Sequence, residues 1–116
     1  MAATSLTVQL VGRLGLQASY TAADDGTFYF TNDGASTFIH VVNGGGGDSV
    51  VTIETIMTSD GLLTANRAVT VTAAEERLIG PFPLDVYGER VYFSFDVITS
   101  VTVAVLDIKP AEIGTV

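Results

Sequence analysis

Cysteine and tryptophan are absent from this 116-residue chain, histidine occurs once, and only five residues are Lys or Arg. Without cysteine there is no thiol chemistry, no disulfide and no cysteine-ligated zinc, and the redox compartment is not written in the sequence. The single His40 removes any site that needs two histidines. Five cations against thirteen carboxylates leave a net charge of −8. That balance argues against nucleic acid as a partner, since such affinity comes largely from Lys and Arg on phosphate, and against anionic membrane surfaces. No apolar run approaches the roughly 18 residues of a membrane span. The opening Met1–Thr7 has no basic segment followed by an apolar stretch, so no secretory signal is expected. Charged residues make up 16% of a chain that is 47% hydrophobic, well below the roughly 25% of an average domain. Low charge density on an apolar chain points to surface that a partner covers.

What is present is β-branching. Val, Ile and Thr together supply 37 of the 116 residues, types that fit a pleated, half-buried surface and disfavour helix. Turn signals recur at short intervals, among them Asp24-Asp25-Gly26, Asn32-Asp33-Gly34, Asn43 to Asp48 with four consecutive glycines, Ser59-Asp60-Gly61 and Gly80-Pro81-Phe82-Pro83. Strands so punctuated predict an all-β protein, an antiparallel β-sandwich of jelly-roll-like form. A chain of this length makes one domain and buries roughly two-thirds of its surface on folding, enough for a core without staples.

The period of two places Phe28 with Phe30, Val51 with Ile53 and Met57, Val69 with Val71, and Val91 with Phe93 and Phe95 on buried faces. Leu6, Val8 and Leu10 share one face of a single strand over Ser5–Val11. Residues 1–26 then read as that strand plus an extended arm, 27–108 as the sandwich core, and 109–116 as a tail. The short Asn32-Asp33-Gly34 predicts a hairpin that sets Thr27–Thr31 beside Ser36–Asn43. The glycine tract reads as a mobile loop, and Gly80–Pro83 as a crossing between sheets or an exposed edge. Two strands are apolar on both sides. Ile39 and Val41 oppose Phe38, His40 and Val42, while Ala104, Leu106 and Ile108 oppose Val101, Val103 and Val105. Such a strand is either central or covered by another subunit. Ile39, Val41, Leu106 and Ile108 are therefore candidate interface residues, together with Tyr29 and Tyr92, which alternate outward from phenylalanines.

Chemistry-bearing patterns are sparse. Gly44–Gly47 is followed by Asp48-Ser49, where a phosphate loop requires lysine and a hydroxyl. Asp24-Asp25, Glu75-Glu76, and Asp85 with Glu89 lack the alternating spacing of a calcium loop. His40 sits in a strand between Ile39 and Val41 and reads as a packed, hydrogen-bonded residue rather than a catalytic base. No catalytic residue, metal ligand or cofactor is expected, and the chain is not expected to be an enzyme.

Thr31-Asn32-Asp33-Gly34 followed by Phe38 to Gly46, and Arg77-Leu78-Ile79-Gly80-Pro81-Phe82-Pro83 followed by Tyr87-Gly88 and two Val/Phe-rich strands, resemble small virion structural proteins of tailed bacteriophages. The resemblance spans about Gly26–Ile108. It implies a capsid decoration (cement) protein on the head surface, partnered by the major capsid protein and by copies of itself, as in a trimer. Two other readings stand beside it. One is a head-tail joining or tail structural protein. The other is a jelly-roll carbohydrate-binding module stacking sugars on Tyr29, Tyr87 or Tyr92.

Overall fold

The computed structural model describes residues 3–56, 58–59, 61–63 and 65–108. The protein is an all-β sandwich of two mixed sheets. Twelve strands are described: β1 (Thr4–Ser5), β2 (Val8–Leu10), β3 (Thr21–Ala22), β4 (Thr27–Thr31), β5 (Thr37–Asn43), β6 (Ser49–Ile53), β7 (Thr58–Ser59), β8 (Leu62–Leu63), β9 (Arg67–Val71), β10 (Glu76–Ile79), β11 (Arg90–Phe95) and β12 (Val101–Asp107). One helical turn, α1 (Leu84–Tyr87), precedes β11. The first sheet runs β1-β4-β11-β6-β9, and the second runs β10-β5-β12-β2 with β3 also beside β12. The β7–β8 pair stands apart as a small ribbon.

The alternation read from the sequence builds the core. Phe28, Phe30, Val51, Ile53, Val71, Val91, Phe93 and Phe95 point inward from the first sheet, against Ile39, Val41, Ile79, Val101, Val103 and Val105 of the second. Ring centroids of Phe28 and Phe93 lie 5.7 Å apart, and those of Phe30 and Phe82 5.6 Å apart, within the range where aromatic pairs attract beyond simple burial. Phe82 comes from the Gly80–Pro83 segment, which carries the chain from β10 in the second sheet to β11 in the first, the first of the two readings that the sequence left open for it. Met57 lies outside the described residues, and so does the tail 109–116.

Three expectations are corrected. Thr27–Thr31 and Thr37–Asn43 are not hairpin partners, because β4 and β5 belong to different sheets. The turn between them is a corner held by its own side chains. Asp33 Oδ1 accepts the amides of Ala35 and Ser36 at 3.0 Å, and Asn32 turns inward to bond elsewhere in the fold. The pairing is also not wholly antiparallel. β1 runs parallel to β4 and β2 parallel to β12, because one continuous run of chain leaves the edge of the first sheet and joins the edge of the second. That run is the strand predicted over Ser5–Val11, and it divides at Leu6. The Leu6 amide donates to the Tyr29 carbonyl at 2.9 Å and its side chain enters the core, so this flank of the sandwich is closed. Residues 1–26 thus contribute three short strands, where one strand and an extended arm were expected.

Candidate interaction surface

The outer face of the second sheet is assembled from β5, β10 and β12. Their registers put His40 between Leu78 and Ala104, and Phe38 beside Leu106. The chain from Val11 to Tyr20 returns from β2 to β3 along this sheet. Gln9 clamps it, donating from Nε2 to the Ser19 carbonyl and accepting the Ser19 amide on Oε1, both at 2.8 Å. Tyr20 then reaches across β12 to His40 on β5. Its hydroxyl lies 2.6 Å from Nδ1, and the rings meet edge-on with centroids 5.5 Å apart. The residue under that crossing is Ala104, whose small side chain leaves room for the ring. His40 Nε2 lies 2.8 Å from Glu76 Oε1. A ring protonated on Nε2 satisfies both contacts, donating to the carboxylate and accepting the tyrosine hydroxyl. His40 is thus a bonded strand residue that pins the returning arm.

Next to this covered region lies an open one. Phe38, Leu78, Ile79, Pro81 and Ile108 line a groove of about 440 Å³ with the corner residues Ala35–Thr37. Leu78 is 66% exposed and Ile108 54%. Both are large apolar side chains, and the groove between them is almost entirely apolar. Its corner wall is rigidly tied. Ser36 Oγ lies 2.6 Å from Asp33 Oδ2 and 2.7 Å from Asp107 Oδ1, and Thr37 Oγ1 lies 2.9 Å and 3.1 Å from oxygens of the same two carboxylates.

The outer face of the first sheet carries mainly polar and tyrosine side chains. Tyr29 and Tyr92 are cross-strand partners with centroids 5.4 Å apart, and the Arg90 guanidinium lies 5.2 Å from the Tyr29 centroid. Thr27, Thr31, Ser94 and Thr52 share this face by register. The tilted ring contact and the cation hold the rings in place, which presents amphipathic area without further ordering.

Of the six residues singled out from sequence, Tyr29 and Tyr92 are half-buried and face outward together, and Ile108 lines the open groove. Ile39 and Val41 are corrected: both are fully buried in this chain's own core. They lie opposite Val105 and Val103, so they share the inward face of the valines, and Phe38, His40 and Val42 are the outward set. Leu106 does face outward, yet it is only 8% exposed, with Phe38 of β5 and Gln9 of β2 as its register neighbours. Sequence reasoning passed over Leu78 and Arg90. The signal for Leu78 was the doublet Leu78-Ile79 before Gly80-Pro81, since in a strand one of two adjacent apolar residues must face out. Tyr87, a proposed sugar platform, is buried and its hydroxyl accepts the Arg67 Nε–H at 3.0 Å.

Among the described residues no group of three or more His, Asp or Glu is placed to hold a metal ion, and no helix is long and apolar enough to cross a membrane. Comparison with protein-family models, curated proteins and solved structures finds no match.

Proposed function

We propose that this protein is a capsid decoration (cement) protein of a tailed bacteriophage, binding the outer shell of the head and stabilising it through contacts with the major capsid protein and with sister copies. The observation that carries the reading is the open apolar groove at Leu78 and Ile108. Its walls belong to strands and a hydrogen-bonded corner, so docking orders little that is not already ordered. Apolar burial at about 25 cal/mol per Å² makes each contact modest, and a shell that presents many copies side by side turns modest contacts into firm attachment. The Tyr29–Tyr92 face is the surface for a sister copy, tyrosine being enriched at such contacts. A charge of −8 keeps free subunits apart before assembly. The likeness of the Asn32 corner and the Gly80–Pro83 crossing to phage virion proteins supplies the kind of shell.

The test is to mix purified protein with expanded heads of the phage that carries its gene, prepared without it. Co-sedimentation and a higher head-disruption temperature are the expected results. Heads that neither bind the protein nor lose heat resistance in its absence would overturn the reading, and location of the chain in the tail by electron microscopy would replace it with the tail alternative.

A further inference from the structure

The two flanks of the sandwich are unequal. On one, β1 and β2 straddle both sheets and Leu6 seals the gap. On the other, β9 ends the first sheet and β10 ends the second, and among the described residues neither has a strand on its outer side. Between them lies a groove of about 490 Å³, with Val69, Ile79, Phe82 and Val86 along it and Arg67 and Arg77 on its walls. The two arginines occupy inward positions of their strands: Arg67 is in phase with Val69 and Val71, and Arg77 with Ile79. One end of the groove is bounded by the Gly80–Pro83 segment with Val86 and Tyr87.

We propose that this open flank is an acceptor site for an extended segment of another protein whose groove-facing residues, every second one along the strand, are in turn a carboxylate and an apolar side chain. Three observations converge on that occupant. The free edge of β10 offers backbone donors and acceptors to an added strand. The floor takes apolar side chains. The walls carry two of the five Lys and Arg residues of a chain whose net charge is −8, so the groove is cationic where the rest of the molecule is anionic. Arg67 is steadied by the bond from its Nε to the Tyr87 hydroxyl, which among the described residues leaves its terminal nitrogens for a carboxylate. Arg77 has Glu75 at 3.8 Å, with both side chains at least half exposed, a contact weak enough for an incoming carboxylate to displace. The competing account is edge protection, in which inward charges on edge strands merely block unwanted pairing.

A fluorescent peptide repeating Glu-Thr-Val-Thr, which sets glutamate and valine on the same face of the added strand, titrated into the full chain, separates the two. Saturable binding is expected, weakening with added salt and weakened about tenfold or more by Arg77→Glu. A peptide with alternate backbone amides methylated should fail to bind, and the lysine counterpart should bind Arg77→Glu better than wild type. The urea midpoint of Arg77→Glu shows that the variant is folded, and Arg77→Gln gives an intermediate affinity. Absence of saturable binding at millimolar peptide would leave edge protection as the account. Binding indifferent to Arg77→Glu or to amide methylation would equally overturn the proposal. Neither result bears on attachment to phage heads.

Discussion

Two asparagines do more for this fold than any ion pair. Asn32 and Asn43 follow the same plan: each side-chain oxygen accepts the amide of the glycine two residues on, Gly34 or Gly45, at 3.0 Å. Each amide nitrogen donates to two carbonyls elsewhere, those of Phe82 and Gly88 for Asn32 and those of Gly47 and Val71 for Asn43. Both side chains are buried, and so are their bonds to the Phe82 and Val71 carbonyls, while those to Gly88 and Gly47 are part-buried. Asn32→Ala therefore leaves two carbonyls and an amide unpaired and should destabilise the protein by about 2–3 kcal/mol. Urea unfolding measures it, and a loss under about 0.5 kcal/mol, the scale of an ordinary surface change, would show that the corner does not depend on this residue. Asn32→Asp should be worse than alanine, since it sets a carboxylate against two carbonyl oxygens.

At the scale of elements, the glycine run joining β5 to β6 is a bonded corner. The Gly44 amide donates to the Ser100 carbonyl at 2.9 Å, and Asn43 holds Gly45 and Gly47. Its members are not equivalent. A Cβ on Gly45 would sit 2.8 Å from the Thr99 carbonyl oxygen, whereas one on Gly46 meets nothing within 4 Å. Gly45→Ala should cost about 1–3 kcal/mol through forced backbone displacement. Gly46→Ala should be neutral or stabilise by up to about 1 kcal/mol, because it restricts the unfolded chain without a native clash. Thermal or urea unfolding of the two variants side by side decides the point, and equal effects would mean that the run is unstructured in solution.

For the whole molecule, the question is what the exposed apolar residues are for. Leu78 and Ile108 contribute little to the core, so the double change Leu78→Ser with Ile108→Ser should leave stability within about 0.5 kcal/mol. If the groove is the docking surface, the same change should lower head occupancy about tenfold or more, the loss expected when two large apolar contacts are removed. Unchanged occupancy in the sedimentation assay would move the attachment surface elsewhere, with the Tyr29–Tyr92–Arg90 face the next to test.

The amino-acid sequence by itself determined that the fold is of the all-β class, which residues alternate into the core from β4, β6, β9 and β11, and that Gly80–Pro83 either changes sheets or runs along an edge. Those properties are local: they follow from β-branching, a period of two and turn chemistry within a few residues. Only the tertiary structure decided which face of β5 turned inward, because both of its faces are apolar and the choice was made by the Val101, Val103 and Val105 face of β12, more than fifty residues away. It likewise decided that Asn32 closes a corner and not a hairpin, that Leu106 is covered, and that one flank is sealed by Leu6 while the other stands open. Each of these is a pairing between distant segments, and no short stretch of residues specifies its own partner.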